Sequence, residues 1–245
     1  MTTSHLEARA IAAGYDSSPV LTELSLTLPA GALTGLIGPN GAGKTTLMLA
    51  LSGQFRPARG SIRFGGRDIY QENLAYKYRI GYVHEQPFFY PWLTAGEFLA
   101  FVAHVKKVDP GRIADESARL LQRVGLEGEQ DKRTSDLSLG MKKKLAIAAA
   151  FMGEPAVLFL DEALNGVDIE SAYGIKQMLR EYVQGGGLVI LSTHVLEVIE
   201  KICDRYVVLQ SGRILADVEA AAWRSGAGAA SLEEHIIALL HQHGH

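Results

Sequence analysis

A glycine-rich segment that runs into a lysine and two threonines is the first feature of the sequence that could do chemistry. It comprises Gly38, Pro39, Asn40, Gly41, Ala42, Gly43, Lys44, Thr45 and Thr46, and we call it the phosphate loop. Glycines let backbone N–H groups turn inward around phosphate oxygens, and the helix that follows adds its positive N-terminal end. The lysine would reach the terminal phosphates, and the Thr45 hydroxyl would bind Mg²⁺. We therefore predict a nucleoside triphosphate site rather than a chance glycine turn.

A second candidate is a short apolar strand, Ala156 to Leu160, that ends in Asp161 and Glu162. A strand end beside the phosphate loop would place Asp161 on the metal shell, usually through water. Glu162 would then be free to orient or deprotonate the attacking water. Alone, the two carboxylates could equally begin an ordinary loop. Combined with the phosphate loop they favour a hydrolytic site over a small-molecule kinase, which positions a substrate hydroxyl instead.

The composition narrows the class of protein. The chain has 245 residues, 47% of them hydrophobic, with a formal net charge of −3 and a single cysteine. This argues against a disordered chain, a disulfide-framed domain and a general nucleic-acid binder. The most apolar stretch covers nine residues, 145–153, whereas a membrane span needs about 20. Since the first 30 residues contain no signal-peptide pattern, we expect a soluble cytoplasmic protein.

The elements that must position these residues form an α/β pattern interrupted by helices. Buried parallel strands are predicted at Ala156–Leu160 and Leu188–Ser192, joined by a helix at Ile169–Val183 in a β-α-β unit. Further strands are predicted at 21–28, 33–37 and 61–64, a hairpin at 205–218, and helices at 45–51, 94–107, 111–124, 141–152 and 232–241.

Three further motifs give the chain a pattern that resembles the ATP-binding subunits of ABC transporters. Leu137 to Met141 stands where that family has its signature, and Asn165 to Asp168 falls on its dimer-contacting loop. Leu191 to His194 ends in the family's switch histidine. Tyr15 lies where the family stacks an aromatic ring on adenine, although it could also be an ordinary strand or turn residue. The match covers nearly the whole chain.

The resemblance implies a fold. We expect a P-loop NTPase (RecA-like) α/β core, residues 1–86 and 154–217, with an N-terminal antiparallel β subdomain. An α-helical subdomain that carries the signature is inserted at 87–153, and residues 218–245 form a C-terminal tail. The chain would be a single cassette.

The resemblance also implies a mechanism in which two cassettes enclose two ATP molecules head to tail. Ser138 and the N–H of Gly140 would donate to the γ-phosphate bound by the partner, and Asp168 would link the two sites. His194 would contact the γ-phosphate in its own subunit, with Glu162 as its catalytic neighbour. The cofactors would be ATP and Mg²⁺.

The implied partners are a second nucleotide-binding subunit and a transmembrane permease, with no nucleic acid. The chain would sit on the inner face of the cell membrane through that permease. Met141 and the lysines after it resemble export-type cassettes. Two alternatives stay open: a soluble ABC-type ATPase of translation or DNA metabolism, and a regulatory module that binds ATP without transport.

Two positions depart from the family pattern. Leu139 replaces a signature glycine, which is acceptable only if its φ is negative or its side chain points away from the nucleotide. The family's loop glutamine, a metal ligand, falls on Glu85, with Gln86 one residue late. A carboxylate binds metal more strongly but adds negative charge near the γ-phosphate. We hypothesise that Glu85 is the ligand.

Two side-chain clusters have competing interpretations. Phe88, Phe89, Tyr90 and Trp92 lie near the family's groove for the membrane subunit, but could equally form the small core of the helical subdomain. Lys142, Lys143 and Lys144 are interpreted as a solvated helix face, although cations there could be tolerated near bound phosphate.

Overall fold

The first of two sheets is antiparallel and lies in the N-terminal part of the chain. The computed structural model describes residues 5–15, 18–222 and 232–242. Within them this sheet has the order β2-β1-β4-β5. Its strands are β1 (Leu6–Tyr15), β2 (Ser18–Leu28), β4 (Arg59–Phe64) and β5 (Arg67–Asp68). It is the predicted N-terminal antiparallel subdomain.

The second sheet is mainly parallel, and the candidate functional residues lie at the carboxyl ends of its central strands. Its order is β10-β9-β3-β8-β7-β6, and all neighbours are parallel except β9 and β10. The strands are β3 (Leu33–Ile37), β6 (Ile80–Val83), β7 (Val157–Asp161), β8 (Leu188–Ser192), β9 (Arg205–Gln210) and β10 (Arg213–Glu219). Ser192 on β8 pairs in register with Leu36 on one side and Asp161 on the other. The carboxyl ends of β3, β8 and β7 therefore meet, which is where open parallel sheets bind ligands.

The helices follow the strands or form the inserted block. They are α1 (Lys44–Leu51), α2 (Asn73–Tyr78), α3 (Ala95–Val105), α4 (Pro110–Arg123), α5 (Leu139–Phe151), α6 (Ile169–Gln184), α7 (Leu196–Ile202) and α8 (Leu232–Gln242), with a 3-10 turn at Thr134–Asp136. Side-chain caps fix several N-termini. Thr94 and Glu97 form a capping box on α3, and Asp109, Ser138 and Asp168 cap α4, α5 and α6.

The core lies on both faces of the parallel sheet. Along β7, Leu158 and Leu160 pack on the side of the helices α3 to α6, while Val157 and Phe159 pack toward α1 and the antiparallel sheet. All four are fully buried. This explains why the strand reads as a continuous apolar run.

The expected P-loop α/β core with an antiparallel subdomain and a helical insertion is confirmed. Five elements had no counterpart in the sequence prediction: β1, β5, β6, α2 and α7. Helix α5 begins at Leu139, two residues before its predicted start. The domain boundaries at residues 87, 153 and 218 stay predictions.

Candidate nucleotide-binding site

The phosphate loop connects the end of β3 to the first residue of α1, and its glycines are required by space and backbone angle. A Cβ on Gly38 would lie 2.3 Å from the carbonyl oxygen of Leu209. Gly41 and Gly43 have φ of +80° and +103°, in the region that other residues rarely adopt. Loop backbone can thus approach a ligand closely.

Lys44 folds back over its own loop. Its Nζ donates to the carbonyl oxygens of Gly38 at 2.7 Å and Pro39 at 3.1 Å. Burial lowers the pKa of the Lys44 ammonium, and the carboxylates of Glu162, Asp161 and Glu85 oppose that shift. A partly buried cation among backbone dipoles suits the phosphate groups of a nucleotide.

Asp161 and Thr45 form an oxygen-rich corner at the start of α1. Thr45 Oγ1 donates to Asp161 Oδ2 at 2.9 Å, and Ser192 Oγ donates to Asp161 Oδ1 at 2.5 Å. Asp161 is buried, so its carboxylate is held in one orientation. A hydroxyl and a carboxylate in contact are hard oxygen ligands, and they fit Mg²⁺, which takes its remaining ligands from phosphates and water.

Glu162 is held through its side chain and its backbone. Its Oε2 accepts from Asn165 Nδ2 at 2.7 Å and lies 3.1 Å from His194 Nδ1. Its N–H is shared between the carbonyl oxygen and Oγ of Ser192, at 3.2 and 3.1 Å. The residue adopts a φ of +49°, a conformation that persists in non-glycine residues only where surroundings enforce it. Such a carboxylate could orient a water molecule or accept its proton.

These residues line one cleft of about 550 Å³, a volume typical of small-molecule sites. Its lining comprises Val20, Asn40, Gly41, Gly43, Lys44, Thr45, Thr46, Glu85, Asp161, Glu162, Asn165 and His194. The structure thus brings together the predicted phosphate loop, carboxylates and histidine. Sequence reasoning did not assign Val20, Asn165 or Ser192 to the site. For Ser192, the signal was a polar residue at the end of an otherwise apolar strand.

Glu85, and not Gln86, lines the cleft. Both residues are exposed in the segment that follows β6. This placement favours the register in which Glu85 occupies the position of the family's glutamine. Its role as a metal ligand stays a prediction.

Seven predicted residues lie outside the cleft lining: Gly38, Pro39 and Ala42, which belong to the phosphate loop itself, and four residues from other elements. Tyr15 is half exposed at the end of β1, with its ring centroid 5.3 Å from that of Phe55. Ser138 is exposed and accepts from the N–H of Met141 at 3.2 Å, and Gly140 follows in the first turn of α5. Asp168 caps α6, and the hydrogen bond from the Ser171 N–H is the main cause that lowers its pKa to about 2. Their predicted roles stay predictions.

Leu139 meets the first of the two alternative conditions for replacing the signature glycine, a negative φ. It lies inside the right-handed helix α5, and it is 69% exposed. Its side chain does not line the cleft. The backbone of the signature is therefore compatible with leucine at this position.

The interpretation of the lysine run as a solvated face was wrong for two of its residues. Lys143 and Lys144 are buried, at 4% and 8% exposure, because their ammonium groups find oxygen acceptors inside the molecule. Burial lowers the pKa of Lys143, and the carboxylates of Glu85, Glu162 and Asp161 oppose this.

The aromatic cluster has two interpretations, as core of the helical subdomain and as a contact surface, and each fits some of its residues. The Phe89 ring packs 4.8 Å from that of Phe98 and contacts the core. Phe88 and Trp92 are 76% and 67% exposed, and both rings contact that of Tyr90. Part of the cluster therefore serves the helical core and part faces outward.

Comparison with known proteins agrees with this geometry. Residues 21–165 match the family model described as ABC transporter. The chain belongs to this family. With its complete phosphate loop and paired carboxylates, it binds ATP and is an ATPase of the ABC type.

Relatives and solved structures give the extent of the similarity. The chain is 35% identical over 82% of its length to the uncharacterized ABC transporter ATP-binding protein YdbJ of Bacillus subtilis. It is 33% identical over 88% to the Nod factor export ATP-binding protein I of Rhizobium meliloti. It spans 65% and 64% of the lengths of these two relatives.

Among solved structures, an ATP-binding subunit of an ABC transporter superposes with a TM-score of 0.89 at 30% identity, over 96% of this chain and 98% of that one. The dimeric, post-hydrolysis cassette MJ0796 with ADP and Pi has a TM-score of 0.81 at 20% identity. The match covers 88% of this chain and 98% of that one, and it shows a shared fold.

Proposed function

We propose that this ATPase dimerises around two ATP molecules and powers translocation through a separate transmembrane permease. One observation carries the proposal. The phosphate loop, Asp161, Glu162 and His194 converge in one cleft, while the signature residues Ser138 and Gly140 lie outside it on an exposed helix start. A single chain thus holds two half-sites, which a head-to-tail dimer would complete.

We assign a role to each predicted residue in the cleft and to Tyr15 beside it. The phosphate loop backbone and Lys44 bind the phosphates, and Tyr15 stacks on adenine beside Phe55. Thr45, Asp161 and Glu85 hold Mg²⁺, which when bound would neutralise phosphate charge. Glu162 orients the attacking water and accepts its proton, and His194, whose Nδ1 lies 3.1 Å from Glu162, contacts the γ-phosphate.

Across the dimer, the Ser138 hydroxyl and the Gly140 N–H would donate to the γ-phosphate held by the partner. Both lie at the N-terminus of α5, where the helix dipole favours an anion. Asp168 at the start of α6 would link the two sites. The dimeric state of the MJ0796 cassette, which shares this fold, is consistent with such an arrangement.

The permease would dock near the outward-facing aromatic residues Phe88, Trp92 and Phe101, which are 76%, 67% and 44% exposed. Exposed aromatic groups of this kind mark protein contacts. None of the helices in the described part of the chain is long and apolar enough to cross a membrane. We infer attachment to the inner face of the membrane through the permease, and export as the direction, as in the name of the Nod factor relative.

Turnover tests the enzymatic part of the proposal. Wild type should hydrolyse ATP only with Mg²⁺, alone or with its permease, and Glu162→Gln should bind ATP without turning it over. Absence of turnover in the wild type, with and without permease, would favour a regulatory ATP-binding module. Association with ribosomes or DNA in place of a membrane protein would favour the soluble ATPase.

Docking has its own test. Trp92→Ala should fold, hydrolyse ATP as wild type does, and lose stimulation by the co-purified permease. Phe89→Leu, which alters the buried part of the cluster, is the control for a general packing defect. A Trp92→Ala variant that still couples fully would contradict docking at this surface.

A further inference from the structure

Two buried lysines lie one residue beyond the signature, and the proposed mechanism uses neither of them. Lys143 and Lys144 lie in the second turn of α5 and are 4% and 8% exposed. A lysine is rarely buried unless its ammonium group is hydrogen-bonded, since burying an unpaired charge is costly. The hydrogen-bond acceptors of the two ammonium groups therefore indicate what these lysines do.

Each lysine bonds to one end of the same loop. Lys143 Nζ donates to the carbonyl oxygen of Glu162 at 3.0 Å. Lys144 Nζ donates to Asp168 Oδ2 at 3.2 Å and to Ser171 Oγ at 3.0 Å. Glu162 and Asp168 bound the segment that joins β7 to α6, which we call the 162–168 loop. Consecutive residues of one helix thus hold both ends of this loop.

The middle of the loop also touches the signature. A Cβ on Gly140 would lie 2.7 Å from the carbonyl oxygen of Gly166, so any side chain there would displace the loop. The first two turns of α5 therefore contact the 162–168 loop at its start, its middle and its end. A movement of the signature relative to the loop would break these contacts.

The start of the loop, at Glu162, depends most on these contacts. Ser192 on β8 binds the N–H of Glu162, and Lys143 on α5 binds its carbonyl oxygen. Together they hold both backbone polar groups of a residue whose φ of +49° is disfavoured for a glutamate. Without the Lys143 bond, this peptide could relax and carry the carboxylate away from the attacking water.

We propose that Lys143 is a positioning residue for Glu162, and that Lys143 and Lys144 together fix the 162–168 loop to the signature helix. Ser138 and Gly140, which reach the partner's ATP, then move as one unit with Glu162, which acts on the ATP of its own chain. The inference rests on the proposed function of Glu162 and on the shared sites of the dimer.

Lys143→Met tests the positioning role, because methionine keeps an apolar stem but removes the donor. We expect kcat to fall about tenfold or more with little change in the KM for ATP, since binding groups stay in place. Lys142→Met is the matched control: Lys142 directly precedes Lys143 in α5, and its side chain makes no hydrogen bond or ion pair within the described residues. Wild-type kcat in Lys143→Met, or an equal loss in Lys142→Met, would overturn the proposal.

A double-mutant cycle separates positioning from packing. In a Glu162→Gln background, measured under single-turnover conditions, Lys143→Met should cause no further loss. The same loss in both backgrounds would overturn the proposal. If Lys143→Met fails to fold, Lys143→Gln is measured in the same way, and failure of both to fold assigns the lysine to packing alone. Wild-type turnover in Glu162→Gln alone would instead show that the proposed function of Glu162 is wrong.

Discussion

In the nucleotide cleft, the key side chains already bond to one another within a single chain, whereas those of the signature do not. Asp161 accepts from Thr45 and Ser192, and Glu162 accepts from Asn165. Ser138 is exposed and its Oγ accepts only from its own helix among the described residues. The cleft is thus organised before any partner arrives, while the signature presents donors that its own chain does not use.

This difference indicates which steps should depend on a dimer. Binding of ATP needs the preorganised cleft and should occur in one chain. Under the proposed function, hydrolysis should also depend on charge stabilisation from the exposed signature of a second chain. The 162–168 loop contacts both regions, and we therefore expect it to couple the cleft to the signature.

The largest expected effect is at Lys44. Lys44→Ala should lower kcat/KM by about 10²-fold or more, because it removes the cation that faces the phosphates. The variant should also bind ATP weakly as a monomer, which equilibrium titration with a fluorescent ATP analogue would measure. If the Lys44→Ala monomer still binds ATP tightly, the role given to the cleft in ATP binding is wrong.

The next effect is at Ser138. Ser138→Ala should lower kcat by about tenfold, the worth of one hydrogen bond to a charged group, while ATP binding to the monomer stays at the wild-type level. The same titration and steady-state kinetics check this. A Ser138→Ala monomer with weakened ATP binding would mean that the signature belongs to the cleft of its own chain.

A third prediction concerns Glu85, the proposed Mg²⁺ ligand inside the cleft. Glu85→Ala should raise the Mg²⁺ concentration for half-maximal hydrolysis by about tenfold, since a carboxylate ligand is lost. Gln86→Ala, one residue outside the cleft lining, should leave it unchanged. If Gln86→Ala abolishes Mg²⁺-dependent hydrolysis and Glu85→Ala does not, the register proposed for this loop is wrong.

The smallest effect concerns stability alone. Thr94→Ala removes one of the two bonds of the capping box on α3, the bond from the Glu97 N–H to Thr94 Oγ1, and should lower the free energy of unfolding by about 1 kcal/mol. Because Thr94 lies in the helical insertion, away from the cleft, kcat/KM should not change. Denaturant titration and kinetics measure the two quantities, and a changed kcat/KM would show that the insertion controls the cleft.

The sequence alone was sufficient to predict the site residues whose types are fixed by the chemistry of phosphate and metal binding. The phosphate loop, Asp161 and Glu162 were predicted from their types and order and His194 from the family resemblance, and the structure places them in one cleft. Strand β1 was missed because Ala10, with a φ of +46°, lies at a register shift that breaks the alternation between Ala8 and Ile11. Helix α7 is short and has no side-chain N-cap to signal its start.

Burial of Lys143 and Lys144 could not be predicted for a different reason. Their acceptors include the Glu162 carbonyl oxygen for Lys143 and the Asp168 carboxylate for Lys144, 19 and 24 residues away in the chain. No local pattern shows that a charged side chain will meet such partners. Only the tertiary fold places α5 against the 162–168 loop.

Mixing two impaired variants tests the central claim, that a working site combines the cleft of one chain with the signature of another. Purified Lys44→Ala and Ser138→Ala are combined in equal amounts with ATP and Mg²⁺. In a head-to-tail homodimer, each mixed pair has one site with both substitutions and one intact site. Half of randomly formed dimers are mixed, so activity should rise to about a quarter of the wild-type value. A mixture no more active than the average of its two components would contradict the account.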